Sequence, residues 1–356
     1  MPSSPPPLPS PSLALPRGSR EVRLAALPAG LPEAAHFEVV ETSVPVPGPD
    51  EVLVRNRYFH VFPALRTLIG GGVEGAPFPP LRVGDPLFGA AVGEVVAVGA
   101  AAGAPGGGPH VGDMVHHYLG WRAYAAVPAA ACRPLGDALP DPVAHLAQGW
   151  TAWHALTRVG DVRTGDTVFV TGGAGSLGSM AGQIARLLGA GRVVGGTGSP
   201  GKAERMTAEL GYDAVVVRGA GPLSEQLAQA APGGLDVVFD TVGGEELRAA
   251  LGAARTGARF ALVGALSGQL APELDGTSAP VELDTFALIV KNITLRGTTT
   301  PDEPQGQSDW NERFIRSLRS GEITFPHTRV AGMEAAPRTL EEVFRGRHFG
   351  TVVVEL

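Results

Sequence analysis

Residues 167–188 read TVFVTGGAGSLGSMAGQIARLL, and the pattern of this stretch decides the fold. Thr167, Val168, Phe169 and Val170 form a short β-branched and aromatic run, the composition of a buried parallel strand. The run breaks into Gly172-Gly173-Ala174-Gly175-Ser176-Leu177-Gly178. Met180, Ile184, Leu187 and Leu188 then fall at i, i+4, i+7 and i+8, the apolar stripe of a helix over Ser179–Leu188. Strand, glycine turn and helix is the context that a dinucleotide fingerprint requires, and Gly173-x-Gly175-x-x-Gly178 supplies it. The first glycine suits the tight turn, the second the approach of a pyrophosphate, the third the packing of helix on strand. The helix N-terminus offers free N–H groups to phosphate. No hydrolase elbow accompanies the turn, because Ala174 rather than glycine stands two residues before Ser176.

In a chain with 50 glycines an ordinary glycine-rich turn is the competing reading, so the continuation carries weight. A second strand, Arg192–Gly195, leads into Gly196-Thr197-Gly198-Ser199. Sites for NAD place an acid near here to hold the ribose 2′-hydroxyl. In this chain the next acid is Glu204, whereas Ser199 and Lys202 offer a hydroxyl and a cation suited to a 2′-phosphate. Lys202 and Lys291 are the only lysines. NADPH is therefore the expected cofactor.

With 356 residues the chain has room for two cores, and a net charge of −7 without a basic cluster argues against nucleic acid. One cysteine, Cys132, excludes an internal disulfide and a multi-thiolate zinc site. No apolar run approaches the ~20 residues of a membrane span. Residues 1–20 are Pro- and Ser-rich without the apolar core of a signal peptide, which reads as a disordered tail and a cytoplasmic protein.

Ordered sequence is expected from about Glu21. Short β segments and glycine turns dominate residues 21–142, among them Glu51–Arg55, Gly93–Val98, Asp113–Tyr118 and Trp121–Val127, the signature of a partly open barrel. The glycine-rich run at 99–108 reads as a loose surface loop. A helix is expected over His145–Leu156, and strand–helix alternation follows through 143–299. Its strands are Thr167–Val170, Arg192–Gly195, Ala214–Val217, Asp236–Phe239, Arg259–Val263 and Ile293–Leu295. Between them lie helices at Lys202–Leu210, Leu223–Ala231, Glu245–Ala254 and Thr285–Val290. Six strands alternating with helices predict a doubly wound sheet. Residues 300–356 carry helices at Trp310–Ser320 and Leu340–Arg345 and a strand at Thr351–Glu355, too little for a third domain, so they should return to the first.

This order of parts resembles the medium-chain dehydrogenase/reductase superfamily. VRNRYFHVFPALR (54–66), VGDMV (111–115) and LGWRAY (119–124) are similar to segments of its zinc-free branch of prostaglandin, plant double-bond and curcumin reductases. GWTAW (149–153), TGGAGSLG (171–178), FDTVGG (239–244) and GALS (264–267) follow in the family's order. GALSG (264–268) and KNITLRG (291–297) also resemble quinone reductases of the superfamily. The resemblance implies a GroES-like, partly open β-barrel catalytic domain joined to a Rossmann domain. It implies cofactor contacts from Thr151, Gly173, Gly175, Ser176, Leu177, Gly178, Gly198, Ser199, Lys202, Arg218, Thr241, Val242, Gly264, Ala265, Leu266 and Thr298. It also implies a homodimer, with Ile293–Leu295 as the edge strand that pairs with its mate.

The zinc enzymes of the superfamily carry Gly-His-Glu where this chain has Phe88, Gly89 and Ala90. No metal is expected, and adjacent His116 and His117 would point to opposite faces of a strand. Without a Lewis acid to polarise C–O, the natural reaction is hydride delivery to a carbon activated by conjugation. The leading expectation is an NADPH-dependent reductase of an α,β-unsaturated carbonyl; a quinone reductase is the runner-up, and a non-catalytic NADPH-binding scaffold the reading from another class. Relatives place tyrosines at the positions of Ala64 and Gln269. Their loss here implies a wider pocket, suited to a bulky enone such as a secondary metabolite. The oxyanion donor is then sought among Tyr118, Gln269, Tyr58 and His60, with Tyr118 first. Asp240, ending a strand, reads equally as a cap or a ligand contact.

Overall fold

The computed structural model describes residues 16–75, 78–103, 108–139, 141–299 and 303–356. Of the expected disordered tail, residues 1–15 lie outside the described residues. Order starts before Glu21, because β1 (Gly18–Leu24) pairs antiparallel with β2 (Phe37–Ser43) from Gly18 onward. The pairing uses backbone groups, which composition does not reveal, and Val22 and Leu24 anchor it in the core.

Next come β3 (Glu51–Val61), α1 (Leu65–Ile69), β4 (Ala91–Val98), β5 (Met114–His117), β6 (Tyr124–Pro128) and β7 (Arg133–Pro134). β3 pairs with β4 along one side and with β6 along Glu51–Arg55 on the other. Its register against β4 shifts between Asn56 and Tyr58, and at this bulge Asn56 turns inward. The Asn56 Nδ2 donates to the carbonyls of Leu119 (3.0 Å) and Arg122 (2.8 Å). Its Oδ1 lies 2.8 Å from His117 Nε2, and His117 Nδ1 accepts the Leu119 N–H at 3.0 Å, so the proton sits on Nε2. This clamp holds a turn in which Trp121 is fully buried at φ 63°. The strand expected over Trp121–Val127 therefore begins only at Tyr124. In the glycine-rich run, 104–107 lie outside the described residues, but the run is not wholly loose: Ala102 is buried and donates its N–H to Pro49.

The helix expected over His145–Leu156 is three pieces: a 3-10 turn at Pro142–Leu146, α2 (Gly149–His154) and a π turn at Ala155–Val159. Packing sets the start of α2, since a Cβ on Gly149 would come 2.3 Å from the Trp310 ring. The Gly160 N–H reaches the carbonyl of Ala155, five residues back, and so widens the end.

The alternating region forms β8 (Thr167–Val170), α3 (Ser176–Leu187), β9 (Arg192–Thr197), α4 (Pro200–Leu210), β10 (Ala214–Val217), α5 (Leu223–Ala230) and β11 (Leu235–Asp240). It continues through α6 (Gly244–Ala253), β12 (Ala254–Leu262), α7 (Leu266–Gln269), α8 (Thr285–Val290) and β13 (Thr294–Gly297). These strands make a parallel six-stranded sheet in the order β10-β9-β8-β11-β12-β13. Val168, Val170, Val237 and Phe239 are buried in one core and Phe169, Val194, Val238 and Phe260 in another. Burial on both sides explains why these strands read as continuous apolar runs. Strand order reverses between β8 and β11, which opens a crevice at their carboxyl ends.

The remaining segment supplies α9 (Pro304–Ser320), β14 (His327–Ala331), α10 (Ala336–Phe344) and β15 (Thr351–Glu355). β15 pairs with Tyr58–Val61 of β3 and with β14, completing a seven-stranded sheet with β3 to β7, while β1 and β2 form a sheet of their own. No helix among the described residues is long and apolar enough to cross a membrane.

Candidate active site

The helix after the glycine turn starts at Ser176, one turn earlier than the apolar stripe suggests, with Gly175 extended as its N-cap. Ser176, Leu177 and Gly178 thus form the first turn of α3, whose N–H groups have no partners within the helix. A Cβ on Gly178 would come 2.2 Å from the Gly172 carbonyl, so that glycine is required for helix-on-turn packing. At Gly175 the only atom near a Cβ is the same carbonyl at 3.3 Å, and the outer side is open. This is the cradle a pyrophosphate fits.

Two contacts to this turn have no sequence signal. Gly350 donates its N–H to Ala174 O at 2.9 Å, and Ser176 Oγ lies 2.7 Å from Thr351 Oγ1. The strand that closes the first sheet therefore touches the glycine turn of the second.

At the end of β9, Ser199 caps α4, its Oγ accepting the Lys202 N–H at 3.4 Å. The Lys202 ammonium donates to the carbonyls of Gly346 and His348, and burial and Arg205 lower its pKa. Arg218 follows β10 and lies over Gly198, where a Cβ would come 3.0 Å from its Nη2. A hydroxyl and the Arg218 guanidinium thus border one edge, with Lys202 in the first turn of α4 and its ammonium tied to the 346–348 loop, a donor set fit for a 2′-phosphate.

Asp240 resolves as a cap. Its Oδ1 accepts from Thr171 Oγ1 (2.7 Å), Val242 N (3.1 Å) and Gly243 N (3.0 Å), although burial raises its pKa. Thr241 donates its N–H to Thr171 Oγ1 at 2.8 Å and its hydroxyl to Thr171 O at 3.1 Å. The segment Gly264, Ala265 and Leu266 stacks on this turn, Leu266 donating its N–H to Thr241 O at 3.1 Å. Thr298, just past β13, donates its N–H to Leu262 O at 2.9 Å, and Thr151 lies on α2. Apart from Thr151, the cofactor candidates line the carboxyl edge of one sheet, where a dinucleotide fits.

The four oxyanion candidates have separate surroundings. Tyr58 directs its hydroxyl toward Glu355 at 3.4 Å with Arg329 over its ring, and burial and Glu355 raise its pKa. His60 is buried beside Phe62, and desolvation lowers it to about 4, so it is neutral near pH 7. Gln269 donates its amide to Thr67 Oγ1 at 2.9 Å. Tyr118 is 53% exposed, with its ring near Phe78 and His116. His117 and His116 sit in different surroundings, the first against Asn56 and the second against Tyr118. Among the described residues no group of three or more His, Cys, Asp or Glu side chains is arranged to hold a metal ion.

Residues 176–320 match the zinc-binding dehydrogenase family, and residues 20–135 match the family described as the N-terminal domain of oxidoreductase. The NADPH-dependent curcumin reductase of Escherichia coli is 30% identical over 338 residues, covering 94% of this chain and 95% of that protein. The NADP(+)-dependent 2-alkenal reductase of Nicotiana tabacum is 28% identical over 348 residues, covering 94% and 97%. The crystal structure of CurA from Vibrio vulnificus in complex with NADPH superposes with a TM-score of 0.84 at 29% identity, covering 94% of this chain and 98% of that one. The chain belongs to the medium-chain dehydrogenase/reductase superfamily, in the branch of the curcumin, 2-alkenal and prostaglandin reductases.

Proposed function

We propose that the protein is an NADPH-dependent reductase of carbon–carbon double bonds conjugated to a carbonyl, and that it works without zinc. The observation that carries the cofactor assignment is the edge where Ser199 and Arg218 border Gly198 beside the glycine turn, with Lys202 in the first turn of the helix that Ser199 caps. The N-terminus of α3 would hold the pyrophosphate, and Ser199, Lys202 and Arg218 the 2′-phosphate. When bound, NADPH would supply a hydride from its nicotinamide, and the electrophilic position of a conjugated enone is its β-carbon; relatives named for the reduction of curcumin and of 2-alkenals support this substrate class.

Of the candidates for holding the enolate oxygen, Tyr118 keeps first place. Gln269 is engaged by Thr67, the Tyr58 hydroxyl is directed at Glu355, and His60 is buried. Donor chemistry supports zinc independence: Phe88, Gly89 and Ala90 carry no side chain that ligates a metal. Alanine at 64, where the family resemblance places a tyrosine, supports a wider pocket and a bulky enone. The protein is also read as a homodimer, because β13 is an edge strand and Phe286 and Ile289 of the neighbouring α8 are more than 70% exposed. A monomeric mass by light scattering at micromolar concentration would remove that element.

The test is NADPH oxidation against enones of increasing bulk and against quinones, with and without a chelator. Higher kcat/KM on enones, unchanged by chelation, supports the proposal. Preference for quinones selects the runner-up, and no turnover with any acceptor leaves a cofactor-binding scaffold.

A further inference from the structure

One acid at the carboxyl edge of the six-stranded sheet has no part in the proposed chemistry. Glu246, in the first turn of α6, has a side chain only 4% exposed. Its Oε1 lies 3.5 Å from Arg218 Nη1, while its Oε2 is buried with no hydrogen-bond partner among the described residues. Oε2 is aimed at the end of β9, where a Cβ on Gly196 would come within 3.0 Å of it. Arg218 is half-exposed, and its other terminal nitrogen lies over Gly198. One guanidinium therefore spans from a buried carboxylate to the edge bordered by Ser199.

We propose that Glu246 is a positioning residue that seats Arg218, and that it takes up a proton when the 2′-phosphate of NADPH draws Arg218 away. The inference rests on the NADPH reading above. The step balances simply: one proton passes from solvent to the Glu246 carboxylate, and no covalent bond of the cofactor changes. The cause is desolvation, because a buried carboxylate that loses its cation neutralises instead of remaining charged. Burial already pushes Glu246 up to about 7, and Asp240 and Glu245 push the same way. Arg218 and the Gly172 backbone N–H act in the opposite direction. NADH has no 2′-phosphate, leaves Arg218 in place and takes up no proton.

The sign follows from linkage. Above pH about 7 Glu246 is ionised in the free protein, so NADPH binding must take up a proton and affinity falls as pH rises, by up to about tenfold per unit. Below pH about 6 the carboxyl is already protonated and the coupling disappears. A phosphate monoester completes its own ionisation near pH 6, below this window.

Isothermal titration calorimetry at pH 8 in HEPES and in Tris, which differ in ionisation enthalpy, measures the protons exchanged. The expected result is uptake approaching one proton per NADPH, none per NADH, and none per NADPH in Glu246→Gln. Affinity of that variant should be flat from pH 7 to 9. Arg218→Gln, altered at a half-exposed position, is a second route: its Glu246 is protonated before binding, so uptake is again lost. NADPH binding without uptake in the unaltered protein, equal uptake with NADH, or uptake persisting in Glu246→Gln would each overturn the inference alone. Failure of NADPH to bind more tightly than NADH would overturn the cofactor reading and this inference with it.

Discussion

Ser176 and Thr351 face each other with their hydroxyl oxygens 2.7 Å apart, joining the first turn of α3 to the strand that closes the other sheet. The pair fixes the proposed cofactor edge of the six-stranded sheet against β15 of the other sheet. Thr351→Val keeps the shape and removes the hydrogen bond, a loss of about 0.5–1.5 kcal/mol. The dissociation constant for NADPH, followed by fluorescence titration, should rise about two- to tenfold. No change would mean that the contact is structural only.

Lys202 has two duties that can be separated. Its ammonium ties α4 to the carbonyls of Gly346 and His348, and its place in the first turn after the Ser199 cap puts it within the proposed phosphate site. Lys202→Ala should weaken NADPH about ten- to hundredfold, the worth of a charged hydrogen bond, and leave NADH nearly untouched. The lost tie should also lower the melting temperature. A lower melting temperature with equal weakening of both cofactors would leave the lysine as a latch alone.

Tyr118→Phe tests the oxyanion assignment. Removal of a true donor costs about 10²–10³ in kcat, with NADPH binding intact. A change smaller than about threefold, under ~0.7 kcal/mol, makes Tyr118 a pocket wall, and Gln269→Ala becomes the next variant to measure.

Acid should unfold the barrel through its histidines. Burial holds His60 and His117 at about 4, below the ordinary value near 6.5. Between these values only the unfolded chain binds the protons, so stability falls as pH falls. Each histidine contributes a loss of about 1.4 kcal/mol per pH unit across that window. Urea midpoints should therefore drop between pH 7 and pH 5, and equal midpoints would contradict the assignment of buried neutral imidazoles.

The parts of the fold that were legible are those in which burial writes a pattern. Thr167–Val170 and Ala214–Val217 lie where their apolar runs put them, and Thr351–Glu355 was readable as a closing strand. The first turn of α3 was not, because Ser176 to Gly178 carries no apolar stripe and is fixed by the extended Gly175. Trp121 reads as part of an alternating strand, yet the Asn56–His117 clamp holds it in a left-handed turn. The partners of Lys202 are backbone carbonyls, which leave no trace in side-chain identity. Glu246 stands beside Glu245 at a helix start, where acids are ordinarily solvated; only the packing reveals that one of the two is buried.

The pairing of β15 with β3 sets an order on the birth of the molecule. On the ribosome β3 emerges long before β15, and the whole six-stranded sheet is translated between them. That sheet draws its strands from one continuous stretch and can assemble while synthesis proceeds. Along Tyr58–Val61 the barrel waits with an unpaired flank until the late strand arrives. Nascent chains stalled before β15 should therefore protect the nucleotide-binding half from protease while leaving the first half open to cleavage and to chaperones.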